Sequence, residues 1–173
     1  MKVMITGASG FLGSYIADNC LDEGDEVRTL VRTTSPLGYL RKYPGIQFCY
    51  GSLSDTESLE KATRGVDVVY HAAARSSDWG TYKMFEEANY IGTVNILNAC
   101  QKNNVERLVY ISSPSVVFDY KDEINISETY PYPKKFANHY SETKAKAEQL
   151  VLEANMPGGL TTVALRPHAI WGP

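Results

Sequence analysis

The feature that most constrains the fold is the glycine-rich stretch Thr6–Gly13, which directly follows the apolar run Val3–Ile5. The apolar run predicts a buried strand, and the spacing G-x-x-G-x-x-G predicts a tight turn leading straight into a helix. Gly7 permits the turn, Gly10 lets a phosphate approach the backbone, and Gly13 lets the helix lie close on its strand. Because the first N–H groups of a helix lack intrahelical partners, the sequence predicts a pyrophosphate-binding turn here.

Strands and helices alternate along the rest of the chain, and this pattern is typical of an α/β fold. We expect a Rossmann-like, doubly wound, mostly parallel sheet with helices on both faces. The 173 residues, 43% of them hydrophobic, suit one domain spanning residues 1–173. The later strands are predicted at Glu26–Arg32, Ile46–Tyr50, Val66–His71, Val105–Ser112 and Leu160–Leu165. The helices are predicted at Phe11–Asp22, from Ser54 as N-cap (with Glu57 completing a capping box) to Gly65, at Tyr82–Asn103 and at Asn138–Asn155.

Charge and composition exclude several classes of protein. The net charge of −3 argues against a nucleic-acid-binding surface. The sequence has no apolar run of about 18 residues, so no membrane span is predicted. The cysteines are odd in number and lack metal-ligand spacing, which indicates reduced thiols, no metal site and a cytoplasmic protein; they are Cys20, Cys49 and Cys100.

The end of the second predicted strand bears on the choice of nucleotide. An acidic residue about 20 positions after the glycines would bind the adenosine ribose of NAD. Instead Arg32 stands there, and positions 13 and 32 are 19 residues apart. A guanidinium can bind a 2′-phosphate through two N–H donors, so the sequence favours NADP over NAD. Arg28 is the alternative phosphate ligand if the strand register differs.

One predicted helix carries a phenol and an ammonium four residues apart, Tyr140 and Lys144. The same face continues through Ala147, Val151 and Ala154, so we expect it to point into the protein. A free phenol has a pKa of about 10 and is a poor base at neutral pH. A nearby lysine and an oxidised nicotinamide would stabilise the phenolate, so Tyr140 could act as a general acid or base.

Hydroxyl groups lie at the end of the fifth predicted strand, in Ser112–Ser115. The carboxyl edge of a parallel sheet is where ligands bind, so a serine there could hold a substrate oxygen against the tyrosine. At the same edge, the small residues Ala72–Ala74 leave room for a ligand. His71 is predicted to be a hydrogen-bonded strand-end residue rather than a catalyst. Asn89 and Asn95 are predicted to tie neighbouring segments to the long helix, whose apolar stripe comprises Phe85, Ala88, Ile91, Ile96 and Ala99.

Taken together, these motifs resemble the extended short-chain dehydrogenase/reductase family, also called the NAD-dependent epimerase/dehydratase family. The resemblance extends over nearly the whole chain. The matching stretches are Thr6–Gly13, His71–Ala74, Asn89–Thr93, Tyr110–Ser113, Tyr140–Lys144 and Leu165–Pro167. Two further stretches, Ser112–Phe118 and Leu165–Pro173, are similar to the branch of 3β-hydroxysteroid dehydrogenases and C4-decarboxylating sterol dehydrogenases.

The resemblance implies a role for each matching residue. Tyr140 would be the general acid/base, Lys144 its pKa partner and ribose ligand, and Ser113 the substrate-positioning hydroxyl, with Ser112 and Ser115 as alternatives. Asn89 would hold the active-site framework. The predicted cofactor-binding residues are Gly7, Ser9, Gly10, Phe11, Leu12, Gly13, Arg32, Ser52, Leu53, Ala72, Ala73, Ala74, Tyr140, Lys144, Pro167 and His168.

Two departures from the family pattern qualify this prediction. Ser52 stands where the family usually carries an aspartate that binds the adenine amino group. Extended members also continue well beyond this point, so we expect the substrate-binding C-terminal part to be absent from this chain. The predicted function is hydride transfer between NADP or NAD and a secondary alcohol or ketone, with 3β-hydroxysteroid-like substrates as one hypothesis. The alternatives are a nucleotide-sugar epimerase or dehydratase and a non-catalytic NAD(P) sensor; the predicted partners are a small-molecule substrate and a second copy of the chain.

Overall fold

A single parallel sheet organises the fold. The computed structural model describes residues 1–77, 79–122 and 124–171. Within these residues six strands lie in the order β3-β2-β1-β4-β5-β6, and every neighbouring pair is parallel. The strands are β1 (Lys2–Thr6), β2 (Glu26–Val31), β3 (Gln47–Tyr50), β4 (Val68–His71), β5 (Arg107–Ile111) and β6 (Thr161–Leu165). The order reverses between β1 and β4, which opens a crevice at the carboxyl ends of these strands.

Helices cover both faces of the sheet, as predicted. They are α1 (Phe11–Asp22), α2 (Thr56–Thr63), α3 (Tyr82–Phe85), α4 (Gly92–Lys102) and α5 (His139–Glu153), with a π-helix at Glu86–Ile91 and 3₁₀ helices at Leu40–Lys42 and Pro114–Val116. On one face Ala17 of α1 shares a core with Val3. On the other, Leu59 of α2 and Ile96 of α4 pack around Met4. Successive β1 residues therefore enter different cores, which confirms the Rossmann-like, doubly wound α/β fold.

The predicted boundaries lie within a few residues of the observed ones, with one wrong cap. The N-cap of α2 is Asp55, not Ser54, because the Asp55 carboxylate accepts the Ser58 N–H at 3.1 Å. Either side chain could serve as a cap by type, so sequence alone could not choose. Four residues lie outside the described structure: Asp78, Glu123, Gly172 and Pro173. The last two end the stretch Leu165–Pro173, for which the resemblance to the sterol dehydrogenase branch was predicted.

The long helix predicted over Tyr82–Asn103 is continuous but not uniform. Between α3 and α4 its hydrogen bonds widen to the i→i+5 pattern of a π-helix. The wider turn rotates the following residues, so Asn89 and Thr93 face inward with 1% and 0% exposure. Ile91 is 43% exposed, so its predicted place on the buried stripe is wrong. Ile91 instead lies at the crevice.

Helix α5 begins with a capping box. Asn138 accepts the Ser141 N–H at 2.8 Å, and the Ser141 hydroxyl accepts the Asn138 N–H at 3.3 Å. Lys144, Ala147 and Val151 are buried, which confirms the predicted inward face. No helix in the described residues is both long and apolar enough to cross a membrane.

Candidate active site

The glycine turn after β1 brings three backbone segments into contact. Gly7 has φ +76°, and a Cβ on it would lie 2.7 Å from the Ala73 nitrogen. A Cβ on Gly13 would lie 2.2 Å from the Gly7 carbonyl oxygen. The Gly10 N–H donates to that carbonyl oxygen at 2.9 Å. The turn thus depends on glycine at Gly7 for its conformation and at Gly13 for its close packing, as predicted.

The start of α1 opens onto the crevice and is suited to an anion. In the described part of the chain, Gly10 caps α1 without a side-chain hydrogen bond, and no acidic residue lies in the first turn. The free N–H groups and the helix dipole both favour a diphosphate there. The cleft that they face has a volume of about 1350 Å³. A turn that has no room for a Cβ at Gly7 or Gly13 and that leads into the free N–H groups of α1 fits the phosphates of a dinucleotide.

Every residue predicted to bind the cofactor lines this one cleft, and so do Ser112 and Ser113. Among the described residues the lining excludes Asn89 and Ser115. The structure therefore brings together Gly7, residues 9–13, Arg32, residues 52–53, residues 72–74 and the Tyr140–Lys144 pair. Together with Ser112, Ser113, Pro167 and His168, these residues come from the carboxyl ends of six strands and from two helices.

Arg28 lies within β2 and Arg32 directly follows it, and their side chains have different surroundings. Arg32 is exposed at the cleft, where its backbone N–H donates to the Ser35 hydroxyl at 3.1 Å. The Arg28 guanidinium points elsewhere and donates to the carbonyl oxygens of Ala62 and Arg64 at 2.7 and 3.0 Å. The alternative of Arg28 as phosphate ligand is therefore wrong, because Arg28 does not line the cleft and its Nε and Nη1 groups donate to other segments.

Tyr140 and Ser113 lie together at the cleft, at the start of α5 and the end of β5. Burial raises the pKa of Tyr140 above its ordinary value, while the Ser113 hydroxyl opposes that rise. Ser113 also caps the 3₁₀ helix that follows it, accepting the Ser115 N–H at 3.2 Å. Its Oγ lies 2.8 Å from the Ser115 Oγ, so Ser115 supports Ser113.

Lys144 lies one turn beyond Tyr140 with 1% exposure. Its Nζ donates to the Ile111 carbonyl oxygen at 2.5 Å and lies 4.0 Å from the centre of the Tyr110 ring. Burial lowers the pKa of Lys144 to about 7, and the carboxylate of Glu148 opposes that effect. We expected Lys144 to stabilise the phenolate of Tyr140. In the protein without cofactor, the pKa of Tyr140 is instead raised, and the Lys144 ammonium donates to the Ile111 carbonyl oxygen.

A directional chain of hydrogen bonds runs behind the cleft. The Thr93 hydroxyl donates its single hydrogen to the Asn89 carbonyl at 2.6 Å, so it accepts from His71 Nε2 at 3.1 Å. His71 Nδ1 then accepts from the Thr6 hydroxyl at 2.7 Å. The Thr6 oxygen in turn accepts the Ala73 N–H at 3.2 Å. This chain joins β1, β4 and the π-helix under the cleft.

His71 is consequently a neutral structural residue. Burial and, to a lesser extent, the charge of Lys144 lower the pKa of His71 to about 3. Both ring nitrogens have partners, which confirms the prediction of a hydrogen-bonded strand-end histidine. The bonded Ala73 N–H lies in the segment Ala72–Ala74, so His71 holds that wall of the cleft in place.

Both predicted asparagine ties are present. The Asn89 Oδ1 accepts the Arg75 N–H at 2.7 Å, and its Nδ2 donates to the Arg75 carbonyl at 3.2 Å and the Thr143 hydroxyl at 3.1 Å. Asn89 thereby joins the loop after β4 to α5. The Asn95 Nδ2 donates to the Leu53 carbonyl at 2.8 Å, which anchors the loop after β3. The predicted ties of these two amides to neighbouring segments are confirmed, and the active-site role of Asn89 stays a prediction.

Sequence reasoning missed an ion pair beside this site. Glu148 has 0% exposure, and its carboxylate receives three hydrogen bonds from Arg166 at 2.5–3.1 Å. The Tyr132 hydroxyl donates to it at 2.6 Å. The spacing of four residues from Lys144 to Glu148 on a buried helix face was the one sequence signal that could have indicated a buried carboxylate. Its partner Arg166 is distant in sequence, and no sequence pattern indicated the pairing.

A parallel sheet of this order with a glycine turn at its switch point defines a Rossmann-type nucleotide-binding domain. The model for the 3-beta hydroxysteroid dehydrogenase/isomerase family matches residues 4–173, and the chain belongs to that family. The resemblance to extended short-chain dehydrogenases/reductases, close to their 3β-hydroxysteroid dehydrogenase branch, is thereby confirmed.

Individual relatives agree with this assignment. The chain is 38% identical over 98% of its length to a 2-alkyl-3-oxoalkanoate reductase of Shewanella oneidensis, covering 44% of that protein. It is 35% identical over 99% of its length to the decarboxylating sterol-4-alpha-carboxylate 3-dehydrogenase of Mus musculus, covering 46% of it. The UDP-glucose 4-epimerase of Thermus thermophilus, solved in complex with NAD, matches with 30% identity and a TM-score of 0.81, over 96% of this chain and 54% of that one. The chain thus spans about half the length of the relatives that it matches.

Proposed function

We propose that this chain is the nucleotide-binding part of an NAD(P)-dependent oxidoreductase that interconverts a secondary alcohol and a ketone. The observation that carries the proposal is that Ser113, Tyr140 and Lys144 line the same cleft as the glycine turn. A bound nicotinamide dinucleotide would supply the hydride acceptor or donor at this place. The diphosphate would rest on the N–H groups that begin α1.

The protein's own residues would handle the proton and the substrate oxygen. Ser113 would hold the oxygen, and Tyr140 would take the hydroxyl proton during oxidation or return it during reduction. Burial keeps the free phenol protonated at neutral pH, which suits proton donation to a ketone. For the reverse direction, Lys144 and an oxidised nicotinamide would add the positive charge that a phenolate needs.

The names of two relatives support a substrate class. Both curated relatives carry, in their names, an oxygen function at position 3 and a carboxylate. We therefore propose a hydroxy acid or keto acid, sterol-like substrates included. Oxidation of a 3-hydroxy-4-carboxysterol would give a β-keto acid, which readily loses carbon dioxide. A small-molecule substrate and a homodimer belong to the same proposal.

NADP is the proposed form of the cofactor. Arg32 is exposed at the end of β2, on the wall of the cleft where the family places the adenosine ribose. In the described residues no carboxylate lines this cleft on the β2 side. A guanidinium there favours a 2′-phosphate over a free hydroxyl. NAD remains the alternative, because the neighbouring epimerase was solved in complex with it.

A nucleotide-sugar epimerase is the second candidate. It is favoured by the TM-score of 0.81 to a UDP-glucose 4-epimerase over 96% of this chain. Such an enzyme would use the same tyrosine and lysine but would return the hydride to its substrate. The two candidates therefore differ in whether reduced cofactor accumulates in solution.

The experiment is a turnover assay of the full-length protein with 3-oxo acids, hydroxysteroids and nucleotide sugars. We expect net oxidation of NADPH with a keto acid, and loss of that activity in Tyr140→Phe with dinucleotide binding retained. Tyr50→Phe is the matched control, since Tyr50 is 55% exposed and outside the cleft lining in the described structure. Dinucleotide binding without any turnover would refute the enzyme in favour of a sensor, and full activity of Tyr140→Phe would remove Tyr140 from its role.

A further inference from the structure

Glu148 joins three segments around the catalytic helix. Its carboxylate takes the Arg166 Nε at 3.1 Å and Nη2 at 2.5 Å, and it accepts the Tyr132 hydroxyl at 2.6 Å. Arg166 immediately follows β6, and Tyr132 lies in the loop before α5. The Arg166 guanidinium also lies 5.7 Å from the centre of the Tyr132 ring. A buried carboxylate with this many donors is fully compensated, so it stays ionised.

This cluster is linked along the chain to both sides of the reactive end of the cleft. Tyr140, Lys144 and Glu148 follow one another at intervals of four residues on α5, and so share one face of the helix. Arg166 is followed by Pro167 and His168, which line the cleft. The Leu165 carbonyl accepts the Ser112 N–H at 2.7 Å, so the end of β6 is fixed to the end of β5 just before Arg166.

We propose that Glu148 is a positioning residue of the oxidoreductase site, a role that rests on the proposed function. It anchors Arg166, so that Pro167 and His168 keep their place along the cleft, and it supplies the negative charge that balances the buried Lys144 ammonium. Glu148 itself does not touch the reacting atoms and acts only through Arg166 and Lys144.

The surroundings of Lys144 show why one carboxylate matters. From β4 it is faced by neutral His71, from β5 by the Tyr110 ring, and on α5 by Tyr140 and Glu148. Glu148 is the one anion among these groups of the described structure, and it is itself paired with Arg166. Burial lowers the pKa of Lys144 to about 7 even with Glu148 present. Removing the carboxylate charge should therefore lower that pKa further.

The test is Glu148→Gln in the full-length protein, with Glu142→Gln as the matched control. Glu142 lies on the same helix but forms a partly exposed ion pair with Lys146. The first readout is the titration of Lys144 followed by NMR of labelled lysine, with Lys144→Met to assign the signal. We expect the Lys144 titration to move to lower pH in Glu148→Gln and to stay unchanged in Glu142→Gln.

The second readout is kinetic. The alkaline limb that reports Lys144 deprotonation should move to lower pH, and kcat/KM at pH 7 should fall by about 10- to 100-fold, the range typical of sub-ångström to 1 Å misplacement. Glu148→Asp should recover part of the loss. A purely structural residue would lower stability without moving either the titration or the pH limb, and that result would overturn the proposal.

A double variant keeps the test decisive if Glu148→Gln does not fold. Glu148→Gln/Arg166→Met removes both buried charges, a change that buried ion pairs often tolerate. It should fold, keep the acid-shifted Lys144 titration and bind dinucleotide more weakly. A wild-type titration in this variant would refute the role of Glu148. The titration needs no substrate, so a failure of the proposed activity would be seen separately, as absent turnover in the wild-type protein.

Discussion

Gly13→Ala should be the most informative single substitution in the glycine turn. A Cβ at this position would lie 2.2 Å from the Gly7 carbonyl oxygen, 2.6 Å from its carbon and 2.8 Å from the Ala8 Cα. A carbon and an oxygen in ordinary contact lie about 3.3 Å apart, so the helix and the turn must separate by about 1 Å. All three neighbours are backbone atoms, so no side-chain rotation can relieve the contact.

Two opposing terms set the effect on stability. Overpacking of this kind costs about 1–3 kcal/mol, whereas replacing glycine by alanine inside a helix gains about 1 kcal/mol. We therefore expect a net loss of at most about 2 kcal/mol in the free energy of unfolding. The effect on ligand binding should be larger, because a displacement of about 1 Å moves the first N–H groups of α1 away from the diphosphate. A misplacement of that size can cost about 100-fold.

The assay is calorimetric titration with the dinucleotide, together with thermal unfolding in its absence. Gly38→Ala is the control, since a Cβ on Gly38 would meet no described atom within 4 Å and its φ is not positive. Wild-type dinucleotide affinity in Gly13→Ala would show that the diphosphate does not rest on this turn. A higher melting temperature in Gly13→Ala would show that the packing argument is wrong.

Three further predictions concern one residue that lines the cleft and two that lie behind it. Arg32→Asp should weaken NADP binding about 10- to 100-fold more than NAD binding, as for a lost charged hydrogen bond, and equal effects in calorimetry would show that Arg32 does not contact the 2′-phosphate. The folded protein keeps His71 neutral down to about pH 3, whereas the unfolded chain takes up a proton below pH 6.5. His71 therefore removes up to about 1.4 kcal/mol of stability per pH unit as pH falls through that window, and denaturant melts of His71→Gln should lack this contribution. Asn89→Asp loses the two N–H donors that bond to Arg75 and Thr143, so the free energy of unfolding in a denaturant melt should fall by about 2–4 kcal/mol. The control Asn98→Asp changes an exposed residue and should lower it by under about 0.5 kcal/mol. Equal losses would contradict the role of Asn89 in tying Arg75 to Thr143.

The local pattern was enough to predict the strands, the glycine turn and the inward face of α5. These depend on short-range effects, such as the apolar runs of β1 and the spacing of Lys144, Ala147 and Val151. The π-helix was not predictable, because its wider turn arises where Asn89 bonds to the loop after β4 and to α5. The cap of α2 was missed for a smaller reason, since Ser54 and Asp55 are both good caps by residue type.

The chemistry-bearing residues could also be found in the sequence, but not their electrostatic setting. Tyr140 and Lys144 are neighbours on any helix. Whether Lys144 is buried, and what then holds its charge, depends on Ile111 and Glu148. The anchor of that carboxylate, Arg166, lies 18 residues further along the chain, in another element.

The sequence by itself determined the class of fold and the glycine turn, and it supplied Ser113, Tyr140 and Lys144 as candidate site residues. Each of these follows from residue types within one turn or one strand. Only the tertiary structure decided that Arg28 is occupied elsewhere, that His71 is a neutral link between β1 and the π-helix, and that Glu148 is buried in an ion pair with Arg166. Burial and hydrogen bonding across the sheet depend on which segments, distant in sequence, come into contact, and the local sequence pattern does not contain that information.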